Sequence, residues 1–253
     1  SVQIGTENEW CAIFAHLTKL FSHATLADMK NSILNRRFGY SYNGLTLKII
    51  GLNVLVFILT EYIFPTTYAL AQGRLYYSPG ADYYLAMQPL LILRGYIWQF
   101  FTYMFVHADL SHLFFNMLGL FMFGTVVERK LGSKEFLMFY LLSGVLSGVF
   151  SFAAYTVAGT PAVSLVGASG VLYGLMFLFA VFFPDALIFV FGIIPVRAPI
   201  LIVIYFFIEL FSQMGGRGGN VAHLTHLAGL VVAYFYCVIR FRIHPFKRWF
   251  GRR

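Results

Sequence analysis

Four groups of polar residues lie inside otherwise apolar stretches of this 253-residue chain. A polar side chain there is costly and is a functional candidate by default. His107, His112 and Asn116 open one apolar run. Gly167-Ala168-Ser169-Gly170 opens another, with Tyr173 and Gly174 following. His223 and His226 open a third, and Glu209 lies alone in a fourth. These types can build a nucleophilic centre. A serine hydroxyl attacks poorly until a base takes its proton, and neutral His226 suits that task. Acyl transfer then develops an oxyanion that needs preorganised donors. The Asn116 amide, the His112 ring and the backbone N–H groups at the start of the Ser169 helix are available for it. Tyr173, one turn after Ser169, can pack on the His226 ring and hold its orientation.

The elements that position these residues follow from composition. Hydrophobic residues make up 59% of the chain and charged residues 11%, with 29 Phe and 16 Tyr. Soluble chains carry about a quarter charged residues, so a water-soluble globule is excluded. The net charge of +8 does not point to nucleic acid, because the basic residues cluster between apolar runs. Cys11 and Cys237 are far apart and suggest neither a disulfide framework nor a cysteine metal site. The N-terminus lacks the pattern of a secretory signal.

Crossing a bilayer takes about 20 apolar residues. On that template the chain reads as an all-α polytopic membrane protein with six spanning helices, at about 45–65, 98–127, 134–156, 168–183, 198–213 and 221–240. Residues 1–44 form a cytoplasmic or membrane-surface segment, with a short amphipathic helix expected over 10–21. Residues 45–240 form the membrane domain, and 241–253 a basic cytoplasmic tail. The first outer loop, 66–97, is long. Its apolar stretch 83–93 is too short to cross and reads as an interfacial helix dipping into one leaflet. The fourth and fifth helices are short, and a helix end below the membrane surface is tolerable only where it lines a cavity or is buried in protein.

Basic residues set the topology. With the N-terminus inside, 15 of the 18 Lys and Arg fall on inner segments and only Arg74, Arg94 and Arg217 outside, so both termini face the cytoplasm. Helices two, four and six then start at the outer face, which places Asn116, Ser169 and His226 at similar depth. His112 and Asn116 share one helix face. Gly170 with Gly174, and Gly229 with Ala233, form small-residue pairs at i, i+4 spacing that let two helices approach closely. If the fourth and sixth helices pack along them, Ser169 and His226 point into the same seam. No carboxylate on helices two, four or six lies at matching depth, since Asp109 sits towards the loop. A Ser–His dyad is therefore expected. Glu209 on the fifth helix can gate, pair, or sit protonated beside a neighbour.

The chain resembles the rhomboid family of intramembrane serine proteases over about residues 45–240. The matching elements are His107-Ala-Asp-Leu-Ser-His112-Leu-Phe-Phe-Asn116, Glu128-Arg-Lys130-Leu-Gly-Ser133, Gly167-Ala-Ser-Gly-Val-Leu-Tyr173-Gly and Ala222-His-Leu-Thr-His226-Leu-Ala-Gly229. The resemblance implies a six-helix bundle with a partly membrane-embedded first outer loop. It implies Ser169 as nucleophile, His226 as base, His112 and Asn116 as oxyanion stabilisers and Tyr173 as the stacking tyrosine. Gly167, Gly170, His107 and His223 are supporting residues. The activity implied is cleavage of the transmembrane segments of other membrane proteins near the outer face, in a bacterial inner membrane. Two positions depart from the family pattern: Trp98-Gln99 replaces Trp-Arg, and Glu128-Arg-Lys130 replaces Glu-x-Arg.

Neither cofactor nor metal is expected. The competing readings are a non-catalytic channel or membrane chaperone, and a metal or haem protein using His107, His112, His223 and His226. Against a metal, the His-Glu-x-x-His pattern is absent and no carboxylate or cysteine is expected to complete a zinc set. The partners expected are transmembrane substrates and the lipid bilayer, without nucleic acid. The oligomeric state stays open.

Overall fold

The computed structural model describes residues 38–71, 74–160, 163–190, 192–214 and 221–251. The amphipathic helix expected over 10–21 and most of the 1–44 segment lie outside the described residues. From Gly39 onward the chain forms one unit.

Helix α1 (Leu45–Ile63) follows Gly44, whose φ of 60° is left-handed backbone that glycine adopts without strain. Helix α1 has no capping side chain of its own. Its first N–H groups are satisfied from far along the chain: the Leu45 and Thr46 N–H groups donate to the two Glu128 carboxylate oxygens at 2.7 and 2.8 Å. The Thr46 and Ser133 hydroxyls donate to the same carboxylate, which is fully buried.

The first loop carries an antiparallel hairpin, β1 (Thr67–Ala71) and β2 (Arg74–Ser78), then three short helices: α2 (Ala81–Leu85), α3 (Pro89–Ile92) and α4 (Gln99–Thr102). The interfacial helix expected over 83–93 is thus two pieces. Pro89 disfavours helical backbone at the residue before it, and Gln88 is extended at φ −125° and ψ 115°. Buried Gln99 holds this loop. Its side-chain oxygen accepts from the Gln88 N–H at 3.0 Å, and its nitrogen donates to the Tyr83 and Tyr84 carbonyls. Trp98 and Thr102 donate to the Tyr84 and Leu85 carbonyls. At this departure from the family pattern, a neutral amide supplies both the donors and the acceptor that the loop backbone needs. Lys130, the other departure, is exposed.

Helix α5 (Leu110–Leu131) starts twelve residues later than the expected 98, because the chain between does not stay helical. A 3-10 turn over Tyr103–Phe105 ends at Val106, which is extended, and Asp109 then caps α5 by accepting the His112 N–H at 2.8 Å. Side-chain caps of this kind start helices. The Ser111 hydroxyl and the His112 N–H hold the Asp109 carboxyl below its usual range.

Helix α6 (Ser133–Val157) buries a small-residue stripe of Ser143, Gly144, Ser147, Gly148 and Ser151. Tyr103 and Met104 press against its glycines, and the Tyr103 hydroxyl donates to the Gly144 carbonyl at 2.8 Å. Helix α7 (Ser169–Phe182) follows, then a second hairpin of β3 (Leu187–Val190) and β4 (Ile194–Arg197), α8 (Ala198–Met214), α9 (Val221–Tyr236, continuing as a π-helix over Cys237–Phe241) and α10 (Pro245–Phe250). The two hairpins correct the all-α expectation: the fold is mostly helical, with two small sheets.

Helices α1, α5 and α6, and residues His223–Phe241 of α9, are long and apolar enough to cross a membrane; α7 and α8 are apolar but shorter. The chain is a multi-pass integral membrane protein. Large side chains such as Phe114, Phe115, Phe150, Phe207 and Phe211 point outward, as a lipid-facing surface requires. The core lies among α5, α6, α7 and α9 and includes Phe136, Phe139, Tyr140, Leu175 and Leu178. An ion pair joins the ends of α6 and α9. Arg240 donates to both Glu135 oxygens at 2.8 and 2.7 Å, and the Tyr236 hydroxyl adds a third bond.

Candidate active site

Ser169 is the first residue of α7, so its hydroxyl stands where backbone N–H groups have no partner within the helix. The preceding strand-like segment is pinned to the first loop, Leu165 and Met87 exchanging backbone bonds at 2.9 and 3.0 Å. Gly167 then turns at φ +108° and donates to the Tyr103 carbonyl. A Cβ on Gly167 would lie 2.7 Å from His112 Nε2, so the glycine makes room for that ring beside the start of α7.

Helices α7 and α9 touch along the glycine stripes. A Cβ built on Gly229 would be 1.9 Å from the Gly170 carbonyl oxygen, while one on Gly174 would be 3.3 Å from the Gly229 oxygen. Ala233 is fully buried. The expected close packing of these two helices is present, and it aligns the side chains one position and one turn before it. His226 Nε2 lies 2.8 Å from Ser169 Oγ.

Three further groups restrict the His226 ring. The Tyr173 ring stacks on it at 4.3 Å between centroids and 7° between planes. Glu209 Oε1 lies 3.1 Å from His226 Nδ1. The Tyr173 hydroxyl donates to that same Oε1, and His223 Nδ1 is 2.5 Å from Oε2. Glu209 is 4% exposed, whereas the His223 side chain is 32% exposed at the edge of the site. The link from Glu209 to the Ser169–His226 pair is the part of the site that sequence reasoning missed. The search for a carboxylate covered helices two, four and six, and this one arrives from the fifth.

His112 accepts the Ala108 N–H at Nδ1 over a long 3.4 Å contact. An imidazole accepting at one nitrogen carries its proton on the other, so Nε2–H is a donor facing Gly167. His107 packs edge-on against His112, with ring centroids 5.1 Å apart. His107 is buried, and its loss of hydration and the neighbouring His112 ring lower its pKa to about 4. Asn116 is buried one turn below His112, and its side-chain nitrogen donates to the His112 carbonyl at 2.9 Å. An amide nitrogen has two hydrogens, so one donor of Asn116 is left over.

The expectation that no carboxylate accompanies the histidines needs correcting for metal chemistry too. Ligand atoms of Glu209, His223 and His226 lie within 4.8 Å of one another. The spacing is nonetheless that of hydrogen bonds. Ligands on a tetrahedral zinc with bonds of about 2.0–2.1 Å sit about 3.3 Å apart, and the Glu209–His223 contact of 2.5 Å is too short for that. His107 and His112 do not join this cluster.

The chain matches the family description of the Rhomboid domain over residues 94–243. It is 32% identical over 149 residues to the rhomboid relative YdcA of Bacillus subtilis, an alignment covering 58% of this chain and 70% of that protein. It is 37% identical over 91 residues to the rhomboid protease GluP of Bacillus subtilis, covering 35% of this chain and 16% of GluP. To the rhomboid protease GlpG of Salmonella paratyphi A it is 31% identical over 144 residues, covering 56% of this chain and 48% of GlpG. The match thus spans about half of GlpG and a small part of GluP. The matched region contains Ser169, His226, Tyr173, Glu209 and His223, and the chain belongs to the rhomboid family of intramembrane serine proteases.

Proposed function

We propose that this protein is an intramembrane serine endopeptidase that cuts transmembrane segments of other membrane proteins near the outer face of the bilayer. The observation that carries the reading is the 2.8 Å contact of Ser169 Oγ with His226 Nε2 inside an apolar helix bundle. Ser169 attacks the substrate carbonyl carbon as its proton passes to His226 Nε2. The oxyanion meets the Nε2–H of His112, the spare amide hydrogen of Asn116 and the N–H groups at the start of α7, where the helix dipole also favours negative charge. The imidazolium gives the proton to the leaving nitrogen, and a water molecule then releases the acyl group by the same steps in reverse. The partly exposed His223 edge offers that water a route.

Six spanning helices accompany this reading, the four long ones together with α7 and α8. The distribution of Lys and Arg supports cytoplasmic termini and fits a bacterial inner membrane. A substrate must present an accessible peptide bond beside α7, which favours locally unwound transmembrane segments with small residues at the cut.

The test is cleavage of a model transmembrane substrate by reconstituted protein. Ser169→Ala should abolish it, and a fluorophosphonate should label the wild type at Ser169 only. Full cleavage by Ser169→Ala would end this reading.

A further inference from the structure

We infer that Glu209 is a positioning residue for His226, so that the working unit is a Ser169–His226–Glu209 triad whose acid comes from a separate helix. This inference rests on the proposed role of the Ser169–His226 pair.

The geometry around the ring assigns each edge of His226 a single neighbour. Nε2 faces Ser169 at 2.8 Å, Nδ1 faces Glu209 at 3.1 Å, and one ring face is covered by Tyr173. Serine can pass its proton only to an unprotonated Nε2, so the neutral ring must carry its hydrogen on Nδ1. A carboxylate oxygen, which only accepts, selects that tautomer when it sits at Nδ1. Glu209 Oε1 is in that place, and the hydroxyl of Tyr173 donates to it as well. One oxygen therefore fixes both the stacking ring and the catalytic ring.

The other oxygen is held by His223 Nδ1 at 2.5 Å. With both oxygens engaged, the carboxylate has no free rotation. During the reaction the Nδ1 hydrogen stays on His226 and Glu209 stays ionised. The serine proton goes to Nε2 and onward to the leaving nitrogen. The negative charge of Glu209 offsets the imidazolium in a site with little water to do so, an interaction stronger in the transition state than before it.

Glu209→Gln tests the charge at constant size. Its NH2 group can donate to Nδ1, which places the ring proton on Nε2 and leaves nothing there to accept from Ser169. Turnover should fall on the order of 100-fold, with KM within threefold of wild type. A purely structural role would instead lower the active fraction while the surviving enzyme keeps its kcat, which active-site titration with the fluorophosphonate separates.

Wild-type protein gives an independent readout that needs no folded variant. Nitrogen-15 histidine spectra above the imidazole titration range should show His226 as the Nδ1–H tautomer. Activity should also survive a chelator. An Nε2–H tautomer in the wild type would overturn the inference. So would a Glu209→Gln kcat within threefold of wild type, or chelator-sensitive activity restored by zinc, because a metal would then occupy Nδ1. If Ser169→Ala itself kept full cleavage, the proposed nucleophile would fail first. An inactive Ser169→Ala beside an unaffected Glu209→Gln would reject the triad alone.

Discussion

The contact between Gly170 and Gly229 couples helix packing to chemistry, and Gly229→Ala measures the coupling. The added Cβ would sit 1.9 Å from the Gly170 carbonyl oxygen, where ordinary contact begins at 3.4 Å. The obstacle is backbone, so no side chain can turn aside. Helices α7 and α9 must part by roughly 1.5 Å, the difference between those two distances. Overpacking of this kind costs about 1–3 kcal/mol. Ser169 immediately precedes Gly170, and His226 lies one turn before Gly229, so the parting is transmitted almost undiminished to the 2.8 Å contact between them. A misplacement of about 1 Å costs on the order of 100-fold in rate. The expected outcome is a protein that still folds, with kcat down by about that factor and a modest loss in unfolding midpoint. The assay pairs turnover of a model transmembrane substrate in bicelles with a denaturant midpoint in the same medium. A Gly229→Ala enzyme with kcat within threefold of wild type would refute the claim that this approach sets a working distance between Ser169 Oγ and His226 Nε2.

Two further outcomes test stability. Glu135→Ala strips the buried Arg240 guanidinium of its bidentate carboxylate, and breaking one side of such a pair costs about 3–5 kcal/mol; a loss under 1 kcal/mol by denaturant unfolding would contradict the weight given to this pair. His107, at about 4 when folded against about 6.5 unfolded, takes up its proton later than the unfolded chain as pH falls. Its stabilising contribution is therefore complete above about pH 6.5 and lost progressively down to about pH 4, by about 3 kcal/mol in all. The wild-type stability should fall more steeply than that of His107→Gln across that window, and parallel curves would remove His107 from the account.

Of the six expected apolar spans, five coincide with helices to within a few residues, although α7 and α8 are shorter than the other four. The exception, the start of α5, depended on Asp109 capping rather than on hydropathy, and an apolar run continuing from Trp98 conceals such a break. The site was legible where its residues share a helix turn or a small-residue stripe, as Ser169 with Gly170 and His226 with Gly229 do. Glu209 carried a weaker signal, a single ionisable residue in an apolar helix, with nothing local to show which side chains it would meet. Its partners Tyr173, His223 and His226 are 36, 14 and 17 residues away, and only the packing of α8 brings them together. The serine stripe of α6 was equally visible as spacing but needed Tyr103 and Met104 to give it a partner.

The buried Glu128 carboxylate has a consequence for biosynthesis. Helix α1 leaves the ribosome before the group that closes its leading end has been made, since Leu45 waits for an acceptor 83 residues downstream. Until that part of the chain is inserted, the first turn of α1 must borrow its hydrogen bonds from water or lipid headgroups. A chain halted before Glu128 should thus show fast amide exchange at Leu45 and Thr46, and supplying the missing part as a separate fragment should restore protection. Helix α1 is thus completed only after the chain that follows it.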